Sequence, residues 1–217
     1  MKFRTTAALA ALCAPMIAAG AASAQGVTWN YGVDVTSNYI TEGVSQTDGG
    51  VAIQPWIEAS VGNFYFGTWM SNVDINMSGG ANDDSWETDV FAGYRNDISD
   101  RLSYDVGYVR YIYNRAGSSY GELTGSLNFA ATDNLDLTAY VAYDPTSKNW
   151  HYRGDVEVAV ATNLSVGAHY GHSDGYDHDY WGVGSTYAFN DAMAVNVSYN
   201  GSDTKDAGWA AMMSLAF

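Results

Sequence analysis

Residues 27–36 read VTWNYGVDVT, and this stretch alternates apolar and polar residues without a break. Its odd-numbered positions carry Val, Trp and Tyr, whereas its even-numbered positions carry Thr, Asn, Gly and Asp. A period of two places these two sets on opposite faces of a β-strand. Residues 209–217, WAAMMSLAF, repeat the alternation at the other end of the chain. Both ends are therefore predicted to be strands with one apolar face.

The same alternation recurs between these ends and predicts an all-β chain of twelve strands. We place the strands at 27–39, 51–60, 64–73, 86–95, 102–113, 120–130, 135–144, 150–160, 164–172, 180–189, 193–201 and 207–217. Tight turns containing Asn or Asp alternate with longer connections rich in Gly, Ser and Asp, as hairpins require. The longer connections are 40–50, 74–85, 114–119, 145–149, 173–179 and 202–206. Short and long connections would thus lie at opposite ends of the strands.

Alternation alone also fits a soluble β-sandwich, in which one face is in the core and the other is in water. Four features together favour a membrane barrel: an even strand number, termini on one side, segregated loop lengths and aromatic residues at strand ends, such as Trp86 and Trp150. A closed barrel also pairs every backbone N–H and C=O, which lipid requires. We predict a transmembrane antiparallel up-and-down β-barrel of about twelve strands in the cell outer membrane of a Gram-negative-type bacterium.

The N-terminal segment has the pattern of a secretory signal. Lys2 and Arg4 precede an apolar stretch over 7–22, and Ala-Ser-Ala at 22–24 provides small residues for cleavage. We therefore predict a signal peptide over 1–24 and an outer-membrane β-barrel domain over 25–217.

Composition narrows the possible functions. The chain of 217 residues has 9 Lys and Arg against 24 Asp and Glu, for a formal net charge of −15. Phosphate contact depends on Lys and Arg, so we predict no nucleic-acid partner. The single cysteine, Cys13, lies within the predicted signal peptide, and the exported domain is therefore predicted to fold without disulfides.

A second signal is the segment TEGVSQTDGG at 41–50, with Asn38 and Tyr39 before it and FGTW at 66–69 after it. This pattern resembles the TorF-type family of proposed porins, and the LSYDVGY stretch at 102–108 is also similar to that family. The resemblance implies an outer-membrane barrel. It also implies that the C-terminal Phe217 is the aromatic residue that the outer-membrane assembly machinery recognises. This chain has Glu42 where the pattern has Arg, so a cationic role at that position is in doubt.

The face opposite the apolar one predicts the residues that line the lumen. These candidates are Asp34, Glu58, Glu87, Asp89, Arg95, Asp105, Glu122, Asp136, Arg153, Asp155 and Glu157. Carboxylates outnumber arginines in this set, and a ring of carboxylates stabilises cations in a narrow aqueous passage. The alternative is a non-conducting structural barrel, because small barrels also fill their interiors with salt bridges and hydrogen bonds. Inward-pointing Tyr111, Tyr113, Tyr140, Trp56 and Phe91 would narrow any channel.

An outer-membrane enzyme is the less favoured alternative. The best cluster for it is His169, His172, Asp174, Asp177, His178 and Asp179, in which His beside a carboxylate could act as a general base or bind an ion. Asp83 and Asp84 could share such an ion. No Gly-x-Ser-x-Gly or His-Glu-x-x-His motif accompanies the cluster, so we predict no enzymatic activity and no cofactor.

The sequence therefore predicts a porin that allows passive diffusion of small hydrophilic solutes through an acidic, cation-favouring lumen. Its expected partners are outer-membrane lipid and lipopolysaccharide, the assembly machinery at Phe217, and the small solutes themselves.

Overall fold

The computed structural model describes residues 22–24, 26–75, 84–115 and 119–217. Twelve strands form the barrel: β1 Val27–Thr36, β2 Ala52–Val61, β3 Phe64–Ile75, β4 Asp84–Ser99, β5 Leu102–Tyr113, β6 Ser119–Ala130, β7 Leu135–Tyr143, β8 Trp150–Ala161, β9 Leu164–Ser173, β10 His178–Asn190, β11 Met193–Ser202 and β12 Gly208–Ala216. Two short pieces, Ile40–Thr41 and Val44–Ser45, pair as a small hairpin between β1 and β2. Ala22–Ala24 pairs with the start of β1.

Each barrel strand pairs antiparallel with the next one in the chain, and β12 returns to pair with β1. This pairing closes the sheet into an up-and-down barrel, so the predicted all-β twelve-stranded fold is confirmed. The closing pair is short. Its ladder joins residues 32–36 of β1 to residues 212–216 of β12, and one backbone hydrogen bond follows at each end, from the Ser37 N–H to the Ala211 carbonyl oxygen and from the Phe217 N–H to the Tyr31 carbonyl oxygen. Residues 28–36 of β1, by comparison, pair with β2 along nearly the whole strand.

Two strand boundaries differ from the predicted ones by three residues or more. The first strand ends at Thr36 rather than at Tyr39, because residues 37–51 leave the barrel wall and fold inward. The fourth strand runs to Ser99, although the polar residues 96–101 suggest a turn. Those residues continue the antiparallel ladder with β5 as far as Asp97, after which the register shifts by a bulge. Pairing with the neighbouring strand decides the boundary there, not local composition.

Three predictions concern residues outside the described part of the chain. They are most of the signal peptide over 1–24, the centre of the loop at 74–85 including Asp83, and residues 116–118 of the next long loop. The division of the chain at residue 24 therefore stays a prediction. No helix among the described residues is long and apolar enough to cross a membrane.

The outer surface of the barrel is apolar and has aromatic side chains near both ends. Near the short turns, Phe64 packs on Tyr94 with ring centroids 4.8 Å apart. Near the long loops, Trp150 lies between Tyr143 and Tyr152, at 4.5 and 5.9 Å. Aromatic rings in two belts around an apolar band are typical of barrels that cross a bilayer.

The interior is divided into two unlike halves. Large aromatic side chains from β2–β5 are buried inside one half, and these are Trp56, Tyr65, Trp69, Phe91, Tyr111 and Tyr113. Interior positions on β9–β12 are mostly Gly, Ala and Ser. Space inside the barrel is therefore restricted beside β2–β5 and less restricted beside β9–β12.

Candidate functional site

The long-loop end of the barrel is occupied by residues 37–51, which we call the inward loop. Tyr39, Gln46 and Thr47 of this loop are buried, although Tyr39 is predicted as the end of a strand and Gln46 and Thr47 as part of a surface loop. On one side, the Tyr39 ring meets the Trp69 ring edge-on, with centroids 5.5 Å apart. The Asp74 N–H donates to the Gln46 carbonyl oxygen at 2.7 Å. These contacts attach the inward loop to β3.

The other side of the inward loop contacts the opposite wall. His178 Nε2 lies 2.8 Å from the Glu42 carbonyl oxygen, and His151 Nδ1 lies 3.4 Å from the Glu42 carboxylate. Gly43 has a φ of 73°, and a Cβ atom there would lie 2.5 Å from the carbonyl oxygen of Gly201. Only glycine fits such a left-handed position against a neighbouring backbone. The inward loop thus spans the barrel from β3 to β8, β10 and β11.

Short polar side chains hold the inward loop in shape. The Ser45 hydroxyl donates to Asn38 Oδ1 at 2.6 Å and accepts from the Gly49 N–H at 3.0 Å. The Thr47 hydroxyl donates to the Gly50 carbonyl oxygen at 2.7 Å and accepts from the Tyr39 N–H at 3.1 Å. The SQTD sequence that carries the family resemblance therefore forms hydrogen bonds to backbone groups of its own loop.

Burial makes the carboxyl group of Glu42 harder to ionise. Loss of solvent raises the pKa of its carboxyl group above the ordinary value, while the Ser173 hydroxyl and nearby His178 act in the opposite direction. Glu42 stands where the family pattern has Arg, and the inward fold places it within the barrel mouth.

Beneath the inward loop lies a cavity of about 270 Å³. One wall carries carboxylates and tyrosines from β4–β6, and the opposite wall carries His151, Arg153 and His169 from β8 and β9. Tyr39 and Glu42 of the inward loop complete the lining. The cavity therefore has one wall rich in carboxyl groups and an opposite wall with two imidazoles and a guanidinium group.

The acidic wall is built by hydrogen bonds between neighbouring strands. The Tyr113 hydroxyl donates to Glu87 Oε1 at 2.8 Å, and the Tyr111 hydroxyl donates to Glu122 Oε2 at 3.0 Å. Asp89 lies on the same face of β4 as Glu87, two residues further along. Glu87 and Asp89 are each only 3% exposed.

A second charged cluster lies nearer the short turns. Arg95 Nη2 lies 2.6 Å from Glu58 Oε2, and Arg95 Nε lies 3.7 Å from Asp105 Oδ2. The guanidinium also stacks on Tyr65, 3.9 Å from the ring centroid, and the Tyr65 hydroxyl donates to Asp105 at 2.6 Å. One arginine thus compensates two buried carboxylates.

The remaining lumen candidates are spread around the interior. They are Asp34, Asp136, Arg153, Asp155 and Glu157, all on the same strand faces as buried interior residues. Arg153 pairs with Asp155 at 2.9 Å, and Asp136 lies opposite Glu157 in the β7–β8 register. The structure therefore distributes the candidates over several clusters rather than one ring.

The His and Asp residues predicted as an alternative cluster are separated by the wall. His169 and His178 lie on interior faces, whereas His172 lies on the outer face with Asp174 and Asp179 at 3.3 and 2.7 Å. Within the described residues, no group of three or more His, Cys, Asp or Glu side chains is arranged to hold a metal ion. The structure does not bring the predicted cluster together as one site.

Sequence reasoning missed the contribution of the inward loop. Residues 40–50 are predicted as an external loop, yet Tyr39, Glu42 and Gln46 line the cavity. The signal in the sequence is a tyrosine followed by three glycines, at 43, 49 and 50, in a mostly polar connection. An aromatic residue in such a loop needs a place to bury its ring.

Comparison with known proteins identifies the family. The model of a family described as "Bacterial protein of unknown function (Gcw_chp)" matches residues 18–216. The chain belongs to the Gcw_chp family. No curated protein is similar enough to the chain to count as a relative.

Solved structures share the fold of this Gcw_chp protein. A structure titled "KdgM porin" has a TM-score of 0.67 at 12% identity, covering 87% of this chain and 99% of that chain. A structure titled "KdgM porin in complex with disordered oligogalacturonate" has a TM-score of 0.64 at 11% identity, covering 87% of this chain and 98% of that chain. A structure of the NanC porin has a TM-score of 0.56 at 11% identity, covering 86% of this chain and 98% of that chain. The fold is therefore a porin-like barrel. None of these matches carries the TorF name that the motif at 41–50 suggests, so they support the fold and not that name.

Proposed function

We infer that this Gcw_chp protein is an outer-membrane porin that allows passive diffusion of small hydrophilic solutes and favours cations. The observation that carries this inference is the cavity beneath the inward loop, whose β4–β6 wall presents Glu87, Asp89 and Glu122. Within the described residues, no ion pair joins these three carboxylates to a basic side chain. Uncompensated carboxylates lower the free energy of a cation in a narrow aqueous passage.

The outer face supports placement in the outer membrane. Its apolar residues and two aromatic belts match the requirements of a bilayer, and the closed sheet leaves no long free edge. Lipid and lipopolysaccharide would contact this face. Phe217, proposed as the contact for the assembly machinery, has an exposed ring that stacks on Tyr31 at 6.1 Å.

The path proposed for solutes follows the half of the interior with small side chains. A solute would enter beside the inward loop, cross the cavity between its two walls, and descend along β9–β12. Of the remaining lumen candidates, Arg153 lines the cavity itself, and Asp34, Asp136, Asp155 and Glu157 would flank the lower part of the path from β1, β7 and β8. Passage needs no covalent chemistry, and we propose no enzymatic activity.

A non-conducting structural barrel is the second candidate. The inward loop and the buried aromatic cluster of β2–β5 favour it, because together they fill much of the interior.

Electrophysiology separates the two candidates. Purified protein in planar bilayers should conduct, and its reversal potential across a KCl gradient should indicate cation preference at low salt. The preference should weaken at 1 M salt, where the screening length falls to about 3 Å. Asp136→Asn combined with Glu157→Gln should reduce the preference, whereas Asp133→Asn, in the short turn between β6 and β7, should leave it unchanged. A wild-type barrel without conductance would establish the structural alternative, and conductance without cation preference would refute the proposed role of the carboxylates.

A further inference from the structure

We propose that the acidic wall of the cavity is a binding site for an organic cation, namely the ammonium or guanidinium group of a small hydrophilic solute. The site consists of Glu87, Asp89 and Glu122, framed by tyrosine rings from β5, β6 and the inward loop. This inference deepens the proposed function and rests on it only for the route by which the solute arrives.

The first observation is that the wall contains buried acceptors without donors. Asp89 Oδ1 and Glu87 Oε2 accept no hydrogen bond, although each residue is 97% buried. The Tyr39 hydroxyl also acts on the Glu87 carboxyl group as a side-chain hydrogen-bond partner. A buried carboxylate oxygen with no donor is costly, so folded proteins complete it with a water, an ion, a ligand or a proton. Asp89 Oδ1 is therefore the acceptor that most clearly lacks a donor.

The second observation is that the surrounding groups are already oriented. Tyr113 holds one oxygen of Glu87 and Tyr111 holds one oxygen of Glu122, at 2.8 and 3.0 Å. The Tyr111 ring also stacks on Tyr120, with centroids 4.6 Å apart. The carboxylates are thus fixed before any solute arrives, and binding requires little further ordering.

The charge of the missing group follows from comparison with the second cluster. Arg95 supplies a cation to Glu58 and Asp105 within 4.0 Å, whereas no described basic side chain does so for Glu87, Asp89 or Glu122. A buried carboxylate without a cationic partner either takes up a proton or is completed by a positively charged ligand, and we assign the second role to the solute. The tyrosine rings of the wall add cation–π attraction for an ammonium or guanidinium group.

The size of the cavity and the arrangement of its donors favour an organic cation over a metal ion. A volume of about 270 Å³ equals roughly nine waters at about 30 Å³ each, which suits a solute of several heavy atoms. Within the described residues, no three acidic or His side chains have the arrangement of a metal site. A solute with carboxylates, such as the oligogalacturonate named with the KdgM porin, would be repelled by this wall.

The test is a binding measurement on the full chain in detergent micelles. Agmatine serves as the cationic probe, 1,5-pentanediol as a neutral probe of similar length, glutarate as an anionic probe and Ca²⁺ as a metal probe. Isothermal titration calorimetry should detect agmatine and neither pentanediol nor glutarate. Glu87→Gln combined with Asp89→Asn should weaken agmatine binding by roughly tenfold or more, since charge-assisted hydrogen bonds are lost. Retained heat-modifiable mobility in gels would show that the variant is folded, and Asp89→Asn alone replaces it if it is not.

The matched control removes the same charge from elsewhere in the interior. Asp136→Asn combined with Glu157→Gln changes two interior carboxylates that do not line the cavity, and agmatine affinity should remain within about twofold. Equal losses of agmatine affinity in both double variants would show that the overall charge of the interior, and not this site, determines binding. Ca²⁺ binding that is stronger than that of agmatine and abolished by the Glu87 and Asp89 changes would overturn the organic ligand.

The proposed function and this site can fail separately. Agmatine binding without conductance in bilayers would retain the site and refute the porin. Cation-selective conductance without agmatine binding would retain the porin and refute the site.

Discussion

The inward loop should be released by one added methyl group at Gly43. A Cβ atom there would lie 2.5 Å from the Gly201 carbonyl oxygen, far inside normal contact distance. Gly49 provides a matched control in the same loop, because its φ of 77° is close to the 73° of Gly43, yet a Cβ atom at Gly49 would meet nothing within 4 Å. Comparing Gly43→Ala with Gly49→Ala therefore isolates the close approach to β11.

The magnitude follows from the contacts that would be lost. Both variants carry backbone strain of about 1–2 kcal/mol from the left-handed conformation. Gly43→Ala must also displace the loop from Gly201, which separates the Glu42 carbonyl oxygen from His178. An unsatisfied buried polar group costs about 1–3 kcal/mol. The ratio of released to seated loop should thus be roughly 5- to 150-fold higher in Gly43→Ala than in Gly49→Ala.

Two assays report this ratio. In planar bilayers, Gly43→Ala should spend more time at a higher conductance level than Gly49→Ala does. Independently of conductance, a Gln46→Cys reporter should react faster with a water-soluble thiol reagent in the Gly43→Ala background, since Gln46 is buried in the seated loop. Equal labelling rates and equal conductance in the two variants would refute the account of the inward loop as a seated constriction.

Three further outcomes are expected from the described contacts. Arg95→Met should lower the free energy of unfolding by about 3 kcal/mol or more, because two buried carboxylates lose their cation. Arg101→Ala, which removes an exposed ion pair, should change it by less than about 1 kcal/mol. Urea titration in micelles measures both, and similar losses would contradict the role of Arg95. Val158→Arg should lower the stability of the barrel by roughly 2–4 kcal/mol and impair assembly, because this position faces lipid. Ser165→Arg, on the interior face, should yield normal amounts of heat-modifiable barrel from membranes. Equal yields of the two variants would contradict the strand register. The seated inward loop should lose stability as the pH rises above 4.5, the ordinary pKa of a glutamate, because burial raises the pKa of the Glu42 carboxyl group and its neutral form favours the seated loop. Glu42→Gln should flatten that part of the pH dependence of Gln46→Cys labelling. An unchanged profile would exclude Glu42 as its cause.

The barrel wall could be predicted because each strand carries its own signal. In β1, alternate residues face lipid and interior, so the side-chain period of two is visible without knowledge of any neighbour. The same period identified the interior faces that hold Glu87 and Arg95. Strand ends were less visible, as at residues 96–99, where pairing with β5 extends the strand through polar sequence.

The inward loop could not be predicted, because its position depends on contacts distant in sequence. Tyr39 is buried against Trp69, and Glu42 meets His178, which is 136 residues away along the chain. The tyrosine and glycines of residues 37–51 indicate a ring that needs burial, but they do not determine which strands the loop contacts. The unpartnered oxygens of Glu87 and Asp89 are likewise a property of the packed interior, not of residue type.

The short ladder between β1 and β12 makes one seam of the cylinder weaker than the others. Fewer backbone hydrogen bonds join residues 32–36 to residues 212–216 than join β1 to β2. Local opening concentrates where a sheet has the fewest bonds to break. Lateral breathing of the wall should therefore begin at this seam, beside the exposed ring of Phe217, and amide hydrogen exchange along β12 should be faster than along β8.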